Sequence, residues 1–186
     1  TITPDMPFPA TACLVQQELG ASKAAAFDLE AACSGFIYAL EVGRAFISSR
    51  VYQNVLIIGA EKLSSIIDWE DRNTCVLFGD GAGASFLKRR DCVRGVLANR
   101  LGRDVNKDEI LAMPGGGCRQ PATVDSVNER IHFLKMEGKE VYKNAVTAMT
   151  AAAKDVMERS NLNIEDIKCI IPHQANQRII SAIGER

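Results

Sequence analysis

Ala24-Ala25-Ala26-Phe27-Asp28-Leu29-Glu30-Ala31-Ala32-Cys33-Ser34-Gly35-Phe36 is the stretch on which the reading of this chain turns. Ala24 to Leu29 reads as a strand, and Ser34 to Arg50 as an amphipathic helix. Phe36, Leu40, Gly43 and Ile47 recur at i, i+4, i+7 and i+11, with Ile37 and Phe46 widening the stripe, while Glu41, Arg44 and Ser48 lie elsewhere. Asn54 to Ala60 follows as a buried strand, so strand, helix and strand make a βαβ unit and an α/β class is expected. Cys33 stands at the helix entrance. Unpaired backbone N–H groups and the positive end of the macrodipole there favour its thiolate, the better nucleophile, which suits acyl transfer.

A small buried Cys at a junction is common, so chemistry at Cys33 requires a partner. His173, in Ile171-Pro172-His173-Gln174-Ala175-Asn176, is that candidate. It follows a short apolar run expected to be a strand, and strand ends in α/β sheets are where sites gather. The competing reading is a histidine satisfied by backbone hydrogen bonds. His132 alternates with apolar residues, as a strand position would, and is left out of the chemistry.

With 186 residues, 47% of them hydrophobic, the chain can bury a substantial core. Its 22 basic and 23 acidic residues give a net charge of −1, which supplies no global field for nucleic acid or an anionic membrane. No apolar run approaches the roughly 20 residues of a membrane span, and Thr1-Ile2-Thr3-Pro4 lacks the features of a signal peptide; a cytoplasmic location is expected. Cysteines at 13, 33, 75, 92, 118 and 169 never approach CxxC spacing, so zinc is not expected and reduced thiols are.

Further along, Pro9 to Leu19 reads as a helix closed by Gly20. Cys75 to Phe78 and Ala84 to Leu87 are apolar runs around Gly79-Asp80-Gly81-Ala82-Gly83, and Gly95 to Asn99 offers another strand. The glycine run lacks the helix and the Lys-Ser or Lys-Thr that a phosphate cradle needs, so a tight, closely packed turn is expected. Residues 101–130, with Pro114-Gly115-Gly116-Gly117, read as a connecting loop between segments 1–100 and 131–186. The last segment reads as strand Ile131 to Met136, helix Gly138 to Ser160, strand Lys168 to Ile171 and helix Ala175 to Ile183. Val141, Ala145, Ala148, Ala152 and Val156 form the stripe of the long helix. Each half reads as cut short, the first lacking an opening strand and the second ending on a just-finished helix.

A papain-like reading fails because Ala-Ala-Cys-Ser-Gly-Phe does not match that family's setting of its cysteine. Asp28 to Phe36, Phe78-Gly79-Asp80-Gly81-Ala82-Gly83-Ala84, and Pro172-His173-Gln174-Ala175-Asn176-Gln177-Arg178-Ile179-Ile180 together resemble beta-ketoacyl-acyl carrier protein synthase III. The resemblance implies a thiolase-like layered fold of two related α/β halves, in a homodimer. It implies condensation of an acyl-CoA, such as acetyl-CoA, with malonyl-acyl carrier protein, starting fatty acid synthesis with no cofactor beyond the thioester substrate. Cys33 would be the nucleophile, its N–H part of the oxyanion hole, and His173 would stabilise the enolate formed on decarboxylation. Phe8 would bound the partner subunit's acyl pocket, Leu63, Gly138 and Asn176 would lie along the substrate, and Arg72 would meet coenzyme A near the entrance. Lys143 and Arg178 would offer a local basic patch to an acidic carrier protein.

The family's third catalytic residue, an asparagine, falls beyond Arg186, and its opening strand and an adenine-holding aromatic precede Thr1. The chain is therefore expected to be a piece of an active synthase, inactive alone. Alternatives are a related condensing enzyme of polyketide or quinolone synthesis, or a module that only binds or dimerises. Elongating synthases and thiolases share nucleophile and fold, but use two histidines, or a histidine with a second cysteine.

Overall fold

The computed structural model describes residues 1–90, 95–104 and 108–185. The chain divides into two compact units, Thr1–Ser65 with Gly79–Val93, and Ile66–Phe78 with Arg94–Arg186.

Unit 1 is a helix laid on a two-stranded sheet. Helix α1 spans Thr11–Glu18, α2 Gly35–Ser48, β1 Asn54–Lys62 and β2 Asp80–Lys88. The aliphatic run of β1 pairs antiparallel with β2 from Asn54↔Lys88 to Lys62↔Asp80. Val55, Ile57 and Leu87 turn one face to α2, and Gly43 is the contact point. A Cβ there would stand 3.0 Å from Leu87 Cδ1, 3.2 Å from Val55 Cγ1 and 3.3 Å from Ile57 Cδ1. The expected helical stripe is thus real, and its glycine lets helix and sheet approach. Leu56, Ile58 and Phe86, on the other face, are exposed.

The expected strand at 24–29 does not form: its Ala24 and Ala26 carbonyls are taken by side chains of α1. Gln16 Nε2 donates to Ala24 O at 2.7 Å, and the Cys13 thiol lies 3.7 Å from Ala26 O. The Asp28 carboxylate accepts the Thr11 and Ala12 N–H groups, each at 2.8 Å, capping α1 from a distance. The segment is extended but docked on α1, with no ladder for a βαβ unit. The glycine run also differs from expectation. Gly81-Ala82-Gly83 lies inside β2, and added Cβ atoms at Gly79, Gly81 and Gly83 would meet nothing within 4 Å, so it is neither a turn nor closely packed.

Unit 2 contains β3 Leu111–Ala112, α3 Val124–Asn128, β4 Lys135–Met136, α4 Gly138–Arg159 and α5 Gln177–Gly184. Residues 101–130 thus carry short elements, and Ile66–Phe78 joins this unit through the Leu134 N–H bond to Ile66 O at 2.8 Å. Only Lys135–Met136 of the expected strand 131–136 pairs, with Leu111–Ala112. Upstream, Arg130 turns left-handed at φ 57° and Ile131 O accepts Gly115 N–H at 2.8 Å, which diverts the backbone from a ladder. Residues 95–99 and 168–171 form no strand, and Ile170 and Ile171 are exposed. Helix α4 matches its expected span but not its stripe. Val146 is its buried residue and Ala148 is exposed, so the inward face is rotated from the predicted one.

Candidate active site

Cys33 lies in a 3₁₀ turn, Ala32–Ser34, that leads directly into α2. Ala32 is left-handed at φ 44°, a conformation that costs a residue with a Cβ about 1–2 kcal/mol. The chain therefore bends sharply just before Cys33. Ser34 is the N-cap of α2 but makes no side-chain cap, so the first-turn N–H groups are left to other acceptors.

The expected ease of ionisation is not what this environment gives. Cys33 is an exposed residue overall, yet burial around its sulfur pushes the thiol up from its ordinary value, outweighing the lowering by its own backbone N–H. The Glu61 carboxylate adds to the rise. Glu61 escaped the sequence reading. It ends the aliphatic run of β1 and accepts the Ile2 N–H at 2.9 and 3.1 Å and the Thr3 hydroxyl at 2.9 Å, which holds it in place. An acid closing an otherwise apolar strand was the available signal.

Also in unit 1, Phe8 is 86% exposed and Leu63 opens the turn after β1, half-buried. Asp80, in the glycine run, accepts the Ser64 N–H at 2.8 Å and hydroxyl at 2.6 Å, which fixes that turn to the start of β2 and lowers the acid's pKa.

His173, Asn176, Arg178, Arg72, Gly138 and Lys143 belong to unit 2. His173 is exposed on the irregular segment before α5. Asn176 is the N-cap of α5, its side-chain oxygen accepting Arg178 N–H at 2.8 Å, so one of the predicted substrate residues has a defined local task. Arg178 and Lys143 are exposed on α5 and α4, Gly138 is the first residue of α4, and Arg72 is exposed on the 66–78 segment. That segment is fixed by Asp68, 5% exposed, whose carboxylate receives Arg130 Nε at 3.2 Å, Arg130 Nη2, Lys135 Nζ at 3.6 Å and Glu70 N–H at 3.0 Å. The Arg130 bond chiefly holds Asp68 at about 2. His132 hydrogen-bonds Ser126 Oγ through Nε2 at 2.8 Å, and Ser126 with Thr123 closes the capping box of α3. Among the described residues, no group of three or more His, Cys, Asp or Glu could hold a metal ion. The described cysteines, 13, 33, 75, 118 and 169, are free thiols.

The fold is that of the thiolase-like condensing enzymes, a class in which 3-oxoacyl-acyl carrier protein synthase III from Thermus thermophilus superposes with a TM-score of 0.89 at 43% identity, over 99% of this chain and 56% of that one. The priming beta-ketosynthase of the R1128 polyketide pathway does so at 0.87 and 34%, over 99% and 54%. Residues 27–104 match the family model of 3-oxoacyl-[acyl-carrier-protein] synthase III, and beta-ketoacyl-[acyl-carrier-protein] synthase III of Caldanaerobacter subterraneus subsp. tengcongensis is 53% identical over all 186 residues, 56% of that relative. Over its whole length the chain is similar to beta-ketoacyl-acyl carrier protein synthase III enzymes. It spans a little over half the length of the curated relatives it matches. No helix among the described residues is long and apolar enough to cross a membrane.

Proposed function

We propose that this chain is the Cys- and His-bearing part of an acyltransferase that condenses an acyl-CoA, acetyl-CoA first among candidates, with malonyl-acyl carrier protein, in the cytoplasm and as a homodimer. The observation carrying this reading is 53% identity across the whole chain to a synthase III relative. Cys33 Sγ attacks the acyl-CoA carbonyl, the C–S bond to coenzyme A breaks, and the coenzyme leaves as its thiol with the proton Cys33 gives up. The malonyl carboxylate then departs as carbon dioxide, its bonding electrons passing into the thioester enolate, which a hydrogen bond from His173 stabilises. The enolate carbon attacks the acyl-Cys33 carbonyl and the Cys33 thiolate is released. No resident cofactor is called for. Phe8, Leu63, Gly138 and Asn176 serve the acyl and pantetheine chains, Arg72 the coenzyme, and Lys143 with Arg178 the acidic carrier protein.

Radiolabelled acetyl-CoA tests this in the full-length protein. Label should stay on the wild type and on His173→Ala, be absent from Cys33→Ala, and pass to 3-oxoacyl product only in the wild type. Label retained by Cys33→Ala, or loading lost in His173→Ala, overturns the roles. Because the Cys33 thiol is raised, loading should quicken with pH across the neutral range. Similarity to the R1128 priming enzyme favours one second reading, a condensing enzyme that primes polyketide chains, and faster turnover of longer or branched acyl-CoA than of acetyl-CoA would select it.

A further inference from the structure

Helix α2 ends on a left-handed residue that is not glycine. Arg50 has φ 63°, with its N–H donating to Ile47 O at 3.1 Å and the Val51 N–H to Phe46 O at 3.0 Å, the paired bonds that close a helix through such a residue. Ser49 donates to Ala45 O from its N–H at 2.9 Å and from its hydroxyl at 2.7 Å. The carbonyls at this negative helix end are thus taken up by donors rather than left facing a ligand. Glycine would fit position 50 without steric cost and arginine does not, yet Arg50 lines a cavity of about 440 Å³ with Gln53, Lys88, Arg89 and Arg90. The sheet fixes the far wall. Its ladder ends at Asn54↔Lys88, and one more bond, Arg89 N–H to Gln53 O at 3.0 Å, carries the pairing on.

Four cations therefore meet around one hollow, and none of the four has an ion pair among the described residues. Asp91, next in sequence, lies outside those residues. Cys33 precedes the start of α2 and Arg50 follows its end, so the hollow lies about 21 Å from the thiol end of the helix, at 1.5 Å per residue over 14 residues. Among the described residues its lining includes no apolar side chain, whereas protein partners are met through apolar and aromatic centres. Guanidinium forks match phosphate oxygens two at a time, Lys88 adds a point charge and Gln53 a neutral donor. The volume falls within the roughly 300–1,000 Å³ of small-molecule sites.

We propose that this end of unit 1 is a binding site for a small molecule carrying a polyphosphate group, held by Arg50, Lys88, Arg89 and Arg90 with Gln53. Calorimetric titration of the full-length protein with inorganic orthophosphate, pyrophosphate and tripolyphosphate tests it. Expected is saturable one-to-one binding that tightens along that series, weakens with added salt, and falls about tenfold or more in Arg89→Gln, the loss of a charge-assisted bond. Arg50→Gly gives a control in which folding and binding move apart. It should melt no lower than the wild type, since glycine suits the left-handed position, and still lose affinity. No saturable binding, affinity unchanged in both variants, or binding to phosphatidylglycerol vesicles without binding to tripolyphosphate would each overturn the proposal, the last in favour of a membrane surface.

Discussion

In unit 1 a helix is seated on a sheet by a glycine that admits three aliphatic side chains; in unit 2 a carboxylate gathers two cations around the 66–78 segment. Gly43 meets Leu87, Val55 and Ile57, whereas Asp68 meets Arg130 and Lys135, and Arg130 in turn lies 5.1 Å over the Phe133 ring. The first contact is apolar and short of directional bonds, so it is set by shape and insensitive to pH. The second is directional and charged, so it is set by ionisation. The proposed nucleophile stands on the shape-fixed unit and the proposed histidine on the charge-fixed one. Their supports should therefore fail under different conditions.

Ile57→Ala should give the largest loss. Ile57 is 4% exposed under α2, and truncating a buried isoleucine costs about 2–5 kcal/mol, the more so where a neighbouring glycine has no side chain to fill the void. Urea unfolding measures it, and a loss below about 1 kcal/mol would mean that the α2–sheet contact does not hold unit 1. That loss should be the same at pH 3 and pH 7. Asp68→Asn should behave in the opposite way. The folded Asp68 pKa of about 2 lies below the ordinary 3.8, so its contribution is complete above about pH 4 and disappears as pH falls toward 2. The variant should be less stable than wild type at neutral pH, with the gap closing in acid. Asp71 and Asp80, also lowered, leave some acid sensitivity behind. A gap constant with pH would remove the ionic account of unit 2.

Gly43→Ala refines the first half of the comparison with a smaller effect. A Cβ at 3.0–3.3 Å from three side chains overpacks the site, at about 1–3 kcal/mol, while alanine returns nearly 1 kcal/mol of helix propensity. A net loss of about 1 kcal/mol is expected from these two opposed effects. A gain would show that the aliphatic side chains yield easily.

These contrasts also explain what could be read before the structure. Local periodicity is enough to place α2, α4 and β1, because each depends on side chains near in sequence. Segment 24–29 has the composition of a strand, but whether it becomes one depends on which groups reach its carbonyls. Gln16 and Cys13 settle that from α1, and Asp28 docks the segment by accepting N–H groups of that helix, contacts no pattern within the segment encodes. The inward face of α4 differs from the expected one for a related reason: alanines fit either a buried or an exposed position, and Val146 sets the rotation. Cys33 and His173 stand out by motif, whereas Glu61 matters through its place beside a turn 28 residues away in sequence, and only folding brings its charge to bear.

Ala32→Gly should have the smallest effect on stability and the most pointed one on chemistry. Glycine relieves the left-handed strain at φ 44°, worth about 1–2 kcal/mol, but loosens the unfolded chain by about 0.5–1 kcal/mol, so the net gain should stay near 1 kcal/mol or less. The turn that aims Cys33 would meanwhile lose the restriction that a Cβ imposes at its first residue. If the strain serves to fix the thiol, acyl loading in the full-length protein should slow several-fold, by analogy with the steep dependence of rate on positioning, while the melting temperature holds or rises. Loading unchanged alongside a stability gain would identify the bend as a folding compromise instead, leaving the ionisation of Cys33, raised by burial and by Glu61, as the feature of unit 1 that governs loading.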